Sequence, residues 1–306
     1  MAEKNEVNGE ILKSALSNSR LDRHSMQFKK NAGVNLDDLQ IAVCIDKLTL
    51  VGEMSLSSAR QFAKMVGDDP RFIVFDDSPS KFQAIVADNS AHLSFVGEQK
   101  NKLRVEFNPS KLTVDQKRFI RDKLVRKIPN YHFTRIDIAL DLNMDLTSYY
   151  MFCDTSLSSN EIRGMVGELQ TKYLGARGSG RYLRIYNKGK ERDNAKSDEQ
   201  YIKGSPWWRV EAELKRNKVN EWESCFDDLH LILAGWKTLE KPNDRAMVKM
   251  LLEEPGEWGR IDYRTRKKYK NMLLDMCDID LNYKLRQAMT VNNRQIRTDL
   301  NYWIVF

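Results

Sequence analysis

Arg181-Tyr-Leu-Arg-Ile-Tyr-Asn-Lys188 reads as a β-strand with two unlike faces. Alternate side chains of an extended strand share a face. Tyr182, Arg184, Tyr186 and Lys188 therefore fall on one side, and Leu183 and Ile185 on the other. A tyrosine among cations on a polar sheet face suits nucleophilic chemistry better than core packing.

Two further segments have the same construction. In Phe133-Thr-Arg-Ile-Asp-Ile-Ala-Leu-Asp141, the apolar face carries Thr134, Ile136, Ile138 and Leu140, opposite Arg135, Asp137, Ala139 and Asp141. In Arg209-Val-Glu-Ala-Glu-Leu-Lys215, Val210, Ala212 and Leu214 turn inward, and Arg209, Glu211, Glu213 and Lys215 turn outward. If the three strands are neighbours, one face presents a phenol among carboxylates and cations. Asp137, Asp141, Glu211 and Glu213 are then candidate ligands for Mg²⁺ or Mn²⁺, because hard cations take oxygen donors. Such an ion stabilises charge during phosphoryl transfer. The bland reading is a wet antiparallel face with routine Arg–Glu pairs. Arg184 and Lys188 favour a Tyr186 phenolate, whose ordinary pKa is about 10. Tyr182 shares the face and is the internal rival.

Around these strands the chain reads as α+β, with curved, mostly antiparallel sheets backed by helices. Residues 1–35 are polar and form a flexible arm. A first α+β unit spans 36–130: a strand over Leu39–Val51, a helix over Ser57–Val66, and strands at Phe72–Phe75, Phe82–Ala87, His92–Val96 and Leu103–Phe107. Thr113-Val-Asp-Gln116 is a capping-box signature that opens a helix ended by Pro129. The second unit, 131–235, holds the three strands above, helical residues between Leu146 and Leu169, and a helix carrying Val219, Trp222, Phe226 and Leu229. Residues 236–306 read as helical to the end.

The two units echo each other. Cys44-Ile-Asp46 matches Arg135-Ile-Asp137, Arg104-Val-Glu106 matches Arg209-Val-Glu211, and His92-Leu-Ser-Phe-Val96 falls where Tyr182-Leu-Arg-Ile-Tyr186 falls. In that alignment Val96 replaces Tyr186.

The 306 residues are 41% hydrophobic and 30% charged, which indicates a globular rather than disordered chain. Fifty basic residues against 43 acidic give a net charge of +7 and favour polyanionic partners. No apolar run approaches the ~20 residues of a membrane span, so a cytoplasmic protein without membrane contact is expected. The four cysteines form no CxxC pair, and the four histidines no His-x-His pair. Zinc ribbons and histidine-ligated nickase sites are thereby disfavoured. The turn Tyr173-Leu-Gly-Ala-Arg-Gly-Ser-Gly-Arg181 does not fit a nucleotide P-loop, but Arg177, Ser179 and Arg181 could hold a DNA phosphate beside Tyr186. The basic run Tyr263–Lys270 offers Arg264, Arg266, Lys267, Lys268 and Lys270 to a phosphate backbone. Asn293, Arg294 and Arg297 are of types that read base edges.

Four motifs in this order and spacing, Thr-Arg-Ile-Asp-Ile-Ala-Leu-Asp (134–141), Tyr-Leu-Gly-Ala-Arg-Gly-Ser (173–179), Leu-Arg-Ile-Tyr-Asn-Lys (183–188) and Trp-Arg-Val-Glu-Ala-Glu-Leu-Lys-Arg (208–216), resemble the Rep_trans family of plasmid rolling-circle replication initiators. Ser-Asn-Ser-Arg-Leu-Asp (17–22), Arg-Val-Glu-Phe-Asn-Pro (104–109), Glu-Trp-Gly (257–259) and Lys-Tyr-Lys-Asn (268–271) extend the likeness over nearly the whole chain. The resemblance implies a homodimeric, metal-dependent nicking and closing enzyme acting at a plasmid double-strand origin. It selects Tyr186 as the nucleophile, and it implies a 5′-phosphotyrosyl link and a free 3′-hydroxyl primer. It also implies later religation of the displaced circle, recruitment of a host superfamily 1 helicase of the PcrA type, and origin discrimination within 264–297. A relaxase of an integrative conjugative element and a non-catalytic sequence-specific DNA-binding protein are the competing readings.

Overall fold

The computed structural model describes residues 39–304, apart from 79–80, 87, 97–101, 155–157, 196–205, 237–238 and 276. The arm expected over 1–35 lies outside the described residues.

Ten strands form one antiparallel sheet. In chain order these are β1 (Ile41–Glu53), β2 (Phe72–Ser78), β3 (Lys81–Val86), β4 (Ala91–Val96), β5 (Lys102–Phe107), β6 (His132–Leu142), β8 (Ser159–Arg163), β9 (Leu169–Leu174), β10 (Arg181–Asn187) and β11 (Trp208–Lys215). Their spatial order is β2-β3-β4-β5-β1-β6-β11-β10-β9-β8. A second sheet has the order β13-β12-β7, from β7 (Tyr150–Cys153), β12 (Leu229–Ala234) and β13 (Cys277–Asp280). The α+β class read from the sequence is the class observed.

The order of the large sheet is palindromic about its centre. In one half β1 is followed outward by β5, β4, β3 and β2, and in the other β6 is followed by β11, β10, β9 and β8. The repeated motifs thus occupy topologically equivalent strands, with β1 and β6 pairing antiparallel at the junction. The two units share one sheet.

One core lies against the apolar face of that sheet. Leu48 and Leu50 of β1, Ile138 and Leu140 of β6 and Val210 and Ala212 of β11 are buried there. Three helical segments cover them. Helix α1 (Leu56–Gly67) buries Ala59, Phe62, Ala63 and Val66, the helical spacing already visible in the sequence. Helix α2 (Val114–Phe119) opens with the predicted capping box. The Thr113 amide donates to Gln116 Oε1 at 2.7 Å, and the Gln116 amide to Thr113 Oγ1 at 3.3 Å. It runs on through a π-helical turn and a tight final turn that bury Ile120, Leu124 and Val125. The long C-terminal helix α6 (Leu281–Trp303) buries Leu285, Met289, Ile296, Leu300 and Trp303. The Trp303 ring packs 4.3 Å from that of Phe107. Helix α3 (Lys188–Ala195) directly continues β10, while α4 (Pro242–Glu253) and α5 (Tyr263–Asp275) cover the small sheet.

Three expectations are corrected. The segment between Leu146 and Leu169 carries strands β7 and β8 rather than a helix; β7 gains its form by pairing with distant β12, which local periodicity cannot register. Only Arg216–Ser224 of the next segment is helical, as a 3₁₀ turn, and Leu229 opens β12. Strand β13 interrupts the C-terminal helices for the same non-local reason, pairing with β12. No helix among the described residues is long and apolar enough to cross a membrane.

Candidate functional site

Cross-strand register assembles the site on the sheet face opposite the core. Tyr186 faces Arg209, which faces Asp141. Arg184 faces Glu211, which faces Ala139. Tyr182 faces Glu213, which faces Asp137. The three strands predicted to share a polar face are therefore adjacent and in phase. Directly opposed side chains on one face lie within contact distance, so the rows are physical neighbourhoods.

Tyr186 is 6% exposed. The Arg184 guanidinium stands 4.5 Å from its ring centroid and the Lys188 ammonium 5.5 Å. Burial pushes the phenol above its ordinary value, against the pull of Arg209 and Arg184, and Glu211 adds to the rise. Arg184 favours the phenolate as expected, but lost hydration of the phenolate outweighs it. Lys188 is buried as well, pushed below its ordinary value by burial and Arg209, and paired with Glu191. The rival Tyr182 stacks on Tyr173 at 5.5 Å, with ring planes 11° apart.

The four candidate ligands divide. Asp141 is fully buried and accepts from Arg209 Nε at 2.6 Å and Nη2 at 2.7 Å. Arg209 Nη1 reaches Asp46 at 2.8 Å. Asp141 thus anchors a sealed guanidinium, unlike the other three acids. Glu211 takes both of its bonds from Arg184 Nη2, at 2.9 and 3.0 Å. Arg135 bridges Asp137 at 2.6 Å and Glu213 at 2.5 Å. Burial pushes the Asp137 carboxyl up to about 7 against the pull of Arg135, and the charges of Glu211 and Glu213 add to that rise. Three carboxylates on one face supply the oxygen donors a divalent cation takes, although Arg135, Arg184 and Lys215 now pair with them. The site is not preassembled: among the described residues no three His, Cys, Asp or Glu side chains converge to hold one. Asp137, Glu211 and Glu213 would hold it after their arginines let go.

The predicted DNA contacts are scattered. Arg181 has the parity of Leu183 and Ile185, so it turns to the core side of β10, away from Tyr186. There it pairs with Asp228 at 2.5 Å and lies 3.8 Å from Cys153 Sγ. The two-residue period of the strand forbids it from standing beside the phenol. Ser179 spends its hydroxyl on Ala176 O and Arg181 O inside the turn. Arg177 is exposed, on the side where it pulls on the Tyr182 phenol. On α5, Arg264 and Lys267 are exposed. Arg266 donates to Ile261 O at 3.1 Å, Lys268 pairs with Asp244 at 2.9 Å, and Lys270 donates to Cys153 O at 3.4 Å. On α6, Asn293 is half-buried, Arg294 is exposed, and Arg297 pairs with Glu223. Helix α5 packs on the small sheet and α6 on the main core, and neither extends the Tyr186 row.

Arg209 and Asp46 were not among the candidates read from sequence. Both lie inside the repeated motifs, so the internal repeat was the signal that could have found them. Register also corrects the counterpart of Tyr186. With Arg-Val-Glu of β5 and β11 equated, Ser94 faces Arg104 as Tyr186 faces Arg209, whereas Val96 faces Lys102. A two-residue slip leaves the pleat unchanged, so pattern matching could not see the error.

Residues 47–128 match the family profile described as "Replication initiation protein, N-terminal". A replication initiation protein of Staphylococcus aureus is 34% identical over 298 residues, covering 95% of this chain and 90% of that protein. A second from the same organism is 33% identical and covers 97% and 92%. The solved rolling circle replication initiator protein of Geobacillus stearothermophilus has a TM-score of 0.39 and 16% identity, over 69% of this chain and 84% of that one. With a third of its residues shared along almost its full length with the staphylococcal proteins, the chain belongs to the family of replication initiation proteins.

Proposed function

We propose that this chain initiates rolling-circle replication of a plasmid by nicking its double-strand origin, with Tyr186 as the nucleophile. The observation that supports it best is the in-phase set of rows, Tyr186–Arg209, Arg184–Glu211 and Tyr182–Glu213–Asp137, on one sheet face.

The Tyr186 oxygen attacks the scissile phosphorus. A Tyr Oη–P bond forms and the P–O3′ bond breaks, leaving the 5′ side on the protein and a free 3′-hydroxyl as primer. The phenolic proton passes to water, and the departing 3′-oxygen takes one up. The phosphotyrosyl ester conserves the bond energy, so religation by the reverse transesterification requires no nucleotide. Before attack, the ring has to be uncovered. An incoming phosphate competes with Glu211 for Arg184, whose side chain is 38% exposed. Moving it off the ring opens the phenol, brings a cation to the phosphate and leaves Glu211 free. A divalent cation held by Asp137, Glu211 and Glu213 would supply further charge stabilisation at the phosphate. Arg209, fixed by Asp141 and Asp46, keeps a positive charge beside the phenolate as it forms. Origin recognition by the exposed cations of α5 and α6, a homodimer and a helicase partner complete the reading.

The test is incubation with Mg²⁺ and supercoiled plasmid carrying the origin, followed by denaturing electrophoresis. A covalent protein–DNA adduct forms with wild type and Tyr182→Phe and is absent with Tyr186→Phe. An undiminished adduct in Tyr186→Phe sinks the assignment.

A further inference from the structure

The non-catalytic half of the sheet holds a hollow of about 380 Å³ on the same face as Tyr186, lined by Phe75, Gln83, His92, Ser94, Arg104 and Glu106 among others. Its position is the topological equivalent of the Tyr186 site. Ser94 faces Arg104 and Gln83 as Tyr186 faces Arg209 and Thr171, and His92 faces Glu106 as Arg184 faces Glu211. Where the catalytic half fills this place with a phenol, the other half has a serine hydroxyl and open space.

The lining has the chemistry of a strand-holding site. Lys47 and Arg104 both pair with Glu106, two cations against one carboxylate. Against the upward push of burial, their hydrogen bonds hold Glu106 down to about 2, so it stays charged and already neutralised. Arg104 is 48% exposed, unlike the sealed Arg209. Phe75 is the bulged residue of β2, between the pairs Val74–Ala84 and Asp76–Gln83, and is 63% exposed. An exposed ring near a half-exposed guanidinium suits the way single strands are held without sequence preference, by stacking and phosphate contact. One row of paired positions, Ile85–His92–Glu106–Thr49–Arg135–Lys215, leads from the hollow to the catalytic rows. Five inter-strand spacings of ~4.8 Å separate β4 from β10, about 24 Å, a span that a few nucleotides bridge.

We propose that this hollow is a second nucleic-acid site, which holds single-stranded DNA next to the reaction, base on Phe75 and phosphate on Arg104, without cutting it. The inference rests on the nicking assignment for its role in replication, but not for its binding chemistry. After a nick, one strand end is covalent at Tyr186, and the adjoining single strand needs a non-covalent grip.

The experiment uses the full chain as wild type, Phe75→Ala and Arg104→Gln, with fluorescent oligothymidine of about thirty nucleotides as probe. Loss of one stacked base, about 1–3 kcal/mol, predicts a fall in affinity of about 5- to 150-fold for Phe75→Ala. Loss of one phosphate contact lowers the slope of log affinity against log salt by about 0.7 for Arg104→Gln. Urea midpoints close to wild type show that folding is intact. Adduct formation on origin plasmid at saturating protein stays within about twofold of wild type, because neither residue touches the Tyr186 rows. Oligothymidine affinity within twofold of wild type in both variants, with an unchanged salt slope, overturns the proposal. Absence of an adduct in the wild type would strike the nicking assignment alone, and the binding results would still judge the hollow.

Discussion

The two halves of the ten-stranded sheet use equivalent positions for opposite ends. In the β6–β11 half, the arginine of the Arg-Val-Glu motif, Arg209, is 2% exposed and clamped by Asp141 and Asp46. In the β1–β5 half, its equivalent Arg104 is half-exposed and pairs with a single acid. The carboxylate of the motif is held by Arg184 from the adjoining strand in one case and by Lys47 and Arg104 in the other. A repeated backbone thus supplies register, and burial decides how tightly a charge is held. Asp46, from the first half, holds the arginine of the second, so the first half helps to build the Tyr186 face of the second.

Replacing the two arginines separates these roles most strongly. Arg209→Met removes the guanidinium shared by the buried Asp141 and the partly exposed Asp46 and is expected to lower stability by about 3–5 kcal/mol, whereas Arg104→Met changes it by about 0–1 kcal/mol. Urea unfolding checks both, and equal losses would break the distinction. Next in size is Arg184→Ala. Removing a single donor to developing charge slows such reactions by about 10²–10³-fold, so adduct formation should slow by a hundredfold or more while the fold persists. Single-turnover rates on origin plasmid measure it.

The smallest effect is in pH, and it has opposite sign in the two halves. Glu106 is depressed to about 2 from 4.5, so its contribution to stability is present above about 4.5 and is lost as pH falls towards 2. Asp137 is raised from 3.8 to about 7, so its contribution is present below about 4 and is lost as pH rises through 7. Glu106→Gln should flatten the acid side of a stability–pH curve, and Asp137→Asn the neutral side. Loss of the same limb in both variants would contradict the assignment of either carboxyl.

Much of this was legible in the chain. The alternation in 133–141, 181–188 and 209–215 placed Tyr186, Arg184, Glu211, Glu213 and Asp137 on one face, and the structure brings those strands together in phase. The capping box at Thr113 and the helical pattern towards the end of the chain are local signals, and α2 and α6 form there. The misses were non-local. Strands β7 and β13 exist through pairing with β12. The place of Arg181 followed from parity that its loop-like neighbours concealed. Asp141 shares a face with Asp137, but its carboxylate is taken by Arg209.

The sequence by itself determined which residues turn inward and which outward, because the two-residue period of a strand and the turn of a helix are properties of the adjacent backbone. It also carried the repeat that makes one half an echo of the other. Only the tertiary structure decided which outward residues meet. Register joins strands far apart in the chain, and a two-residue slip preserves every face while changing every partner. That is why Ser94 rather than Val96 is the counterpart of Tyr186, facing Arg104 as Tyr186 faces Arg209. Burial was likewise settled only by packing, since the hydration lost by Tyr186 and Asp137 depends on side chains from distant strands closing over them.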